Sequence, residues 1–199
     1  IINRLNSVGI TRIYTTVNYK HEMIDFYFKS IPDKKYEISF HLEDKPLGTA
    51  GSLQLLKDEI KTTFFISNCD IIIDQDYRDI YEYHTRNKND ITIVAALKNY
   101  SIPYGIVETR ENGILTDIKE KPEYTFMINS GMYILEPAMI DQIPEDTFYN
   151  ITDLIEKVKN NRGRVGVFPV SEKSWFDIGE WDEYRKTLVE FENRWGAKS

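Results

Sequence analysis

The stretch Thr63-Phe64-Phe65-Ile66-Ser67-Asn68-Cys69-Asp70 decides the fold class, because a short apolar run ends there in polar residues. An apolar run of this length, rich in aromatic side chains, predicts a strand buried on both faces of a sheet. Helices and strands alternate before it, which is typical of a mostly parallel sheet covered by helices. The predicted upstream elements are a helix with apolar Ile1, Ile2, Leu5 and Val8, then a strand at 12–17, a helix at 21–29, a strand at 37–42 and a helix at 48–56.

After this stretch the predicted strands follow one another closely along the chain, which indicates an antiparallel insertion. The predicted elements are a helix at 77–86, strands at 91–97, 105–109, 114–119 and 127–135, a helix at 152–161, a strand at 165–170 and an aromatic helix at 181–195. Glu111-Asn112-Gly113 between two of the strands is typical of a hairpin connection. We therefore expect one α/β domain over residues 1–199, with a Rossmann-like, mostly parallel mixed sheet and helices on both faces.

Composition excludes several classes of protein. The 199 residues carry 25 Lys and Arg against 32 Asp and Glu, a net charge of −7, which argues against a nucleic-acid binder that needs a basic face. No apolar run approaches the roughly 20 residues of a membrane span. Cys69 is the single cysteine, so an internal disulfide is impossible and a reducing, cytoplasmic compartment fits. We interpret Cys69 as a small buried residue rather than a nucleophile.

Two aspartates follow predicted strands at the edge of the sheet where α/β proteins bind ligands. Asp70 comes directly after the strand at 63–67, and Asp177 comes shortly after the strand at 165–170. Carboxylates at one edge can hold Mg²⁺, which prefers oxygen ligands and keeps substrate phosphates as further ligands. For each aspartate alone, a turn or a helix N-cap is the alternative interpretation.

Gly48-Thr49-Ala50-Gly51 opens a predicted helix. Its glycines would let the backbone approach a ligand, and a helix N-terminus offers free N–H groups. The alternative is a plain tight turn with a capped helix.

Two later segments carry polar residues in unusual places. Pro122 favours an extended conformation for Lys121, which would make the lysine a fixed cation for a phosphate; a solvated surface lysine is the alternative. Asn129-Ser130-Gly131 interrupts an apolar strand, so it is either a hydrogen-bonded bulge or a place where polar side chains meet sugar hydroxyls. Gly105 has the same ambiguity.

Taken in order, the segments 47–53 (LGTAGSL), 67–70 (SNCD), 104–108 (YGIVE), 120–122 (EKP), 128–135 (INSGMYIL) and 175–184 (WFDIGEWDEY) resemble the sugar-1-phosphate nucleotidyltransferase family. The resemblance extends from the first residue to about Leu188. Residues 150–157, followed by 165–170, are similar to the mannose-1-phosphate guanylyltransferase branch, and the Asn-Cys-Asp variant is similar to related enzymes with regulatory CBS domains upstream.

The resemblance implies the nucleotide-diphospho-sugar transferase fold. It also implies the transfer of a nucleotidyl group from a nucleoside triphosphate to a sugar 1-phosphate, and the similarity to the guanylyltransferase branch favours GMP as that group. The products are pyrophosphate and a nucleotide sugar for cell-surface glycans. It also implies roles for individual residues: Mg²⁺ on Asp70 and Asp177, the sugar phosphate at Lys121, the nucleotide at Gly48, Thr49, Ala50 and Gly51, and the sugar at Gly105, Glu120, Asn129 and Ser130.

The chain departs from the family pattern in two places. Cys69 stands where the family usually has glycine, and the family's first strand and Gly-rich triphosphate loop are not found, so we expect an N-terminally truncated catalytic domain. A nucleotide-sugar-binding regulatory domain without activity is therefore a second hypothesis. A third is a glycosyltransferase that holds its metal on Asp74-Gln75-Asp76. The aromatic helix at 181–195 is either core or an oligomer interface.

Overall fold

The computed structural model describes residues 1–18 and 21–179. In chain order the elements are α1 (Ile2–Ser7), β1 (Arg12–Val17), α2 (His21–Ser30), β2 (Glu37–Leu42), α3 (Gly48–Gly51), a 3-10 turn (Ser52–Leu56), β3 (Phe64–Ser67), β4 (Ile71–Ile73), α4 (Tyr77–Asn87), β5 (Ile91–Ser101), β6 (Ile106–Thr109), β7 (Leu115–Lys119), β8 (Glu123–Leu135), α5 (Ile151–Asn160), β9 (Val165–Ser171) and β10 (Trp175–Asp177).

The main sheet has the order β3-β8-β5-β9. β8 runs antiparallel to both β3 and β5, whereas β5 and β9 are parallel, so three strands share one direction. Three smaller pairs accompany this sheet: parallel β1 and β2, antiparallel β4 and β10, and the β6–β7 hairpin. The predicted mostly parallel mixed sheet is confirmed.

The core has two halves, one on each face of the main sheet. Along β8, Tyr133 and Leu135 pack with α5 and the Ser52–Leu56 turn, whereas Met132 and Ile134 pack with α1, β4 and α4. This alternation follows from the two-residue period of a strand. Helices therefore cover both faces, as predicted.

A buried histidine joins α4 to the sheet. His84 is fully buried, with Nδ1 2.8 Å from Thr92 Oγ1 on β5 and Nε2 3.1 Å from Glu136 Oε1 after β8. Asn89 donates a further hydrogen bond to Thr92 Oγ1 at 3.0 Å. His84 therefore has a structural role, because its two ring nitrogens connect α4 to β5 and to the segment after β8.

Several predicted bounds are corrected by the structure. The helix at 48–56 is a single helical turn followed by a 3-10 turn, and β5 and β8 extend beyond the core as a two-stranded ribbon that ends at the Ser101–Glu123 pair. β4 and β10 were not predicted as strands. The predicted helix at 181–195, with its aromatic residues, lies outside the described residues. Within the described ranges, none of the helices has the length and apolar character needed to cross a membrane.

Candidate active site

Asp70 and Asp177 are brought together by the short β4–β10 pair. Asp177 lies opposite Ile71 in the antiparallel register, and Ile178 N donates a hydrogen bond to Asp70 O at 2.8 Å. The two aspartates are thus cross-strand neighbours, although 107 positions separate them in the sequence numbering. The structure therefore brings the two predicted carboxylates together, and their role as metal ligands stays a prediction.

Gly179 shows how closely the two carboxylates approach each other. A Cβ atom placed on this glycine would lie 2.9 Å from Asp70 Oδ2 and 3.3 Å from Asp177 Oδ1. The backbone N–H of Gly179 donates to Asp177 Oδ1 at 3.0 Å. Both carboxylates are half-buried, and one oxygen of each faces the same small space beside Gly179.

This carboxylate pair has a composition that suits Mg²⁺. Among the described residues, no group of three or more His, Cys, Asp and Glu side chains has the arrangement of a complete metal site. Mg²⁺ is commonly held by one or two carboxylates, with substrate phosphates and waters as its other ligands. A pair of carboxylates that converge beside an exposed glycine therefore fits a cation that arrives with a phosphate substrate.

A bulge in β8 supports both aspartate-bearing segments. The β5–β8 register shifts between Val94 and Ala95, which leaves Ser130 and Gly131 as extra residues in β8. Gly131 O accepts a hydrogen bond from Asn68 N at 2.9 Å, and Ser130 O accepts one from Trp175 Nε1 at 3.3 Å. Asn68 and Trp175 each stand two positions before an aspartate. Adjacent carbonyls of one bulge therefore position the two carboxylate segments.

The polar side chains of the bulge are held by hydrogen bonds within the protein. Ser130 is buried, and its hydroxyl donates to Val94 O at 2.7 Å and accepts from Met132 N at 3.3 Å. Ser130 therefore has the contacts of a hydrogen-bonded bulge residue, and its sequence-based assignment to the sugar stays a prediction. Asn129 is exposed, donates to Tyr133 Oη at 2.7 Å and accepts from Gly131 N, so its side chain has a fixed orientation.

The glycines of the Gly48–Gly51 turn face protein backbone. A Cβ on Gly48 would lie 2.7 Å from Tyr149 O, and one on Gly51 would lie 2.6 Å from Thr147 O. Tyr149 O accepts hydrogen bonds from Ala50 N at 2.9 Å and Gly51 N at 3.0 Å. The expectation of free N–H groups on Ala50 and Gly51 is therefore wrong, because the chain before α5 already uses them.

Thr49 caps α5. Its Oγ1 accepts a hydrogen bond from Ile151 N, the first helical N–H, at 2.9 Å, and Asp153 Oδ2 accepts from Asn150 N at 3.0 Å. A helix N-terminus leaves such N–H groups without partners inside the helix. The nucleotide contacts assigned to the Gly48–Gly51 turn remain a prediction, and this packing holds the turn at the start of α5.

Gly105, Glu120 and Lys121 lie together at the far end of the β5–β8 ribbon. A Cβ on Gly105 would lie 2.9 Å from Glu120 Oε2, so these two residues are in contact. Lys121 has a φ of 42°, which corrects the expected extended conformation: the chain reverses between β7 and β8 within residues 120–122, and a left-handed residue makes that turn.

Two further expectations concern the residues around Asp70. Cys69 is exposed rather than buried, because it lies in the loop after β3 and not in the strand. Asp76 is the N-cap of α4 and accepts from Arg78 N at 2.9 Å, while Asp74 pairs with Arg4 Nη2 at 2.7 Å. Both carboxylates of Asp74-Gln75-Asp76 therefore have structural partners, which weakens the glycosyltransferase hypothesis.

Sequence reasoning overlooked Gly179, Trp175 and Asn68 as parts of the site. All three lie within the motifs quoted above, yet their roles depend on which atoms meet in space. The sequence signal that could have identified them is their position, since each lies two residues from Asp70 or Asp177.

Comparison with known proteins identifies the family. A family model described as nucleotidyl transferase matches residues 1–194. The chain belongs to the nucleotidyl transferase family. It is 31% identical over 187 residues to mannose-1-phosphate guanyltransferase 2 of Candida glabrata, with 90% of this chain and 51% of that protein covered. It is 36% identical over 151 residues to the mannose-1-phosphate guanyltransferase of Pichia angusta, with 71% and 41% covered. The chain thus spans about half the length of these relatives.

Solved structures agree with this family. HddC from Yersinia pseudotuberculosis matches with a TM-score of 0.71 and 26% identity, covering 96% of this chain and 83% of that one. The same protein complexed with GMP-PN matches with a TM-score of 0.70 and 25% identity, at the same coverage. The family resemblance and the α/β fold are confirmed.

Proposed function

We propose that the protein transfers a nucleotidyl group from a nucleoside triphosphate to a sugar 1-phosphate, with GTP and mannose 1-phosphate as the first substrates to test. The observation that carries this proposal is the convergence of Asp70 and Asp177 in a chain of the nucleotidyl transferase family. The mannose-1-phosphate guanyltransferases among its relatives support the choice of substrates. A nucleotide sugar of this kind would supply the synthesis of cell-surface glycans.

In this proposal Asp70 and Asp177 hold Mg²⁺ through the oxygens that face Gly179. The fit rests on the carboxylate donors and on their convergence beside Gly179. When bound, Mg²⁺ supplies positive charge that neutralises the phosphates during the displacement. The chain has a net charge of −7, so a bound cation would supply the positive charge that two phosphorylated substrates need.

The reaction proposed is an in-line displacement at the α-phosphorus. A phosphate oxygen of the sugar 1-phosphate forms the new bond, the bond from the α-phosphorus to the bridging oxygen breaks, and pyrophosphate leaves with that electron pair. The protein contributes position and charge rather than covalent chemistry. We assign the sugar phosphate to Lys121, the sugar hydroxyls to Glu120, Gly105 and Asn129, and the nucleotide to the Gly48–Gly51 turn.

We also propose that a strand carrying the triphosphate loop completes the sheet between β1 and β3. On β1, Ile13 and Tyr14 pack against opposite halves of the core, and on β3, Phe65 and Phe64 do the same. Both strands therefore lie in one layer between the same helices. Each is paired along one edge only within the described residues, β1 with β2 and β3 with β8.

The test is a substrate panel with the full-length protein and Mg²⁺. Each nucleoside triphosphate is combined with mannose 1-phosphate, glucose 1-phosphate and other sugar 1-phosphates, and pyrophosphate release is measured. We expect release that requires both substrates and is largest with GTP and mannose 1-phosphate. No release with any pair would contradict nucleotidyl transfer and favour a nucleotide-sugar-binding regulatory protein.

A further inference from the structure

Gly179 has no conformational need to be glycine. The glycines in the left-handed region are Gly9, Gly48, Gly113 and Gly131, and Gly179 is not one of them. Its φ therefore lies where residues with side chains are also found. Gly179 is also exposed, so no packed core crowds the position.

The three atoms nearest to a Cβ placed at position 179 all belong to the carboxylate pair. A Cβ would lie 2.9 Å from Asp70 Oδ2, 3.5 Å from Asp70 Cγ and 3.3 Å from Asp177 Oδ1. A contact under 3.0 Å forces a shift, and the Asp70 carboxylate, at the end of its side chain, is the partner that can move at low cost. Withdrawal of residue 179 would break its hydrogen bond to Asp177 Oδ1 and strain the neighbouring Ile178–Asp70 bond. A methyl group here would therefore fill the space between the carboxylates or push them apart.

We propose that Gly179 is a positioning residue for the divalent cation, and that its missing side chain keeps open the space in which the cation sits. The inference rests on the proposed function, since it takes Asp70 and Asp177 as the metal ligands. It adds a size limit, because any side chain at position 179 competes with the cation for that space.

Mn²⁺ is the probe for this inference, because the electron paramagnetic resonance signal of free Mn²⁺ reports binding without any turnover. The full-length protein is titrated as wild type, Gly179→Ala, Gly179→Val and Asp70→Asn. We expect Gly179→Ala to weaken Mn²⁺ binding by roughly 10- to 100-fold and Gly179→Val to weaken it further. Circular dichroism and the melting temperature of Gly179→Ala should match those of the wild type.

Gly113→Ala is the matched control. Gly113 has a φ of +72°, so alanine is strained there, but its Cβ would meet nothing within 4 Å. Gly113 lies in the β6–β7 hairpin, away from the two aspartates. This variant should lose stability and keep its Mn²⁺ affinity within about twofold. Backbone strain and loss of space are thereby separated.

The outcomes distinguish this inference from the proposed function. If Asp70→Asn loses Mn²⁺ binding while Gly179→Ala binds like the wild type, the metal site stands and the role of Gly179 is overturned. If Gly179→Ala loses its fold, the glycine serves the backbone and the inference is also overturned. If the wild type binds no Mn²⁺, or Asp70→Asn binds it normally, the proposed metal site itself fails and the inference fails with it.

Discussion

At the scale of single residues, burial gives Tyr77 a measurable effect on stability. Tyr77 is almost fully buried, and its hydroxyl has no well-formed hydrogen bond within the described residues, although the backbone of Ile73 approaches it. Burial raises the pKa of Tyr77 from 10.0 to about 12. The neutral phenol is therefore favoured in the folded protein.

The sign of the pH dependence follows from this shift. Above pH 10 the unfolded chain releases the Tyr77 proton while the folded protein keeps it, so the stabilisation from Tyr77 is complete below pH 10 and is lost as the pH rises to about 12. The full effect is of the order of 3 kcal/mol, and about 1 kcal/mol is lost by pH 11. Tyr77→Phe should remove this part of the alkaline loss. Urea unfolding of both proteins at pH 8 and pH 11 measures it, and identical losses would contradict it.

At the scale of elements, the bulge in β8 links the sheet to both carboxylates. Trp175→Phe keeps an aromatic ring on β10 and removes the hydrogen bond to Ser130 O, which is worth about 1 kcal/mol. We expect Mn²⁺ affinity to fall by roughly fivefold, since the segment before Asp177 loses one support. Calorimetric titration with Mn²⁺ measures the change.

Tyr133→Phe is the control for this variant. It removes the hydroxyl that accepts from Asn129 Nδ2 but leaves both bulge carbonyls in place. Mn²⁺ affinity should stay within about twofold of the wild type. Equal losses in the two variants would show that the bulge acts through general stability and not through Trp175.

The elements also show what the sequence can and cannot predict. Asp70 was predictable because a buried strand with strong apolar character ends just before it. The strands β4 and β10 were not predictable, because each has only three residues and so shows no periodicity in the sequence. These two strands nevertheless bring Asp177 to Asp70. Gly48 was recognised as a close approach, yet whether backbone or ligand fills that space depends on Tyr149, far away in sequence.

At the scale of the whole molecule, the layer that contains β1 and β3 predicts a pattern of hydrogen exchange. In the 199-residue chain, about half of the amides of β1 and of β3 face an edge without a partner among the described residues, and these should exchange rapidly. In the full-length protein a strand between β1 and β3 would protect them. Amide exchange followed by mass spectrometry compares the two, and equal protection in both would contradict the additional strand.

Nucleotidyl transfer at Asp70 and Asp177 is tested most directly by one measurement: nucleotide-sugar formation from GTP and mannose 1-phosphate by the full-length wild type, Asp70→Asn and Asp76→Asn. Asparagine caps a helix as well as aspartate does, so Asp76→Asn should keep the fold and stay within about twofold of the wild type. Asp70→Asn should lose at least roughly 100-fold in kcat. Full activity in Asp70→Asn together with loss in Asp76→Asn would contradict the proposed site and favour the glycosyltransferase arrangement.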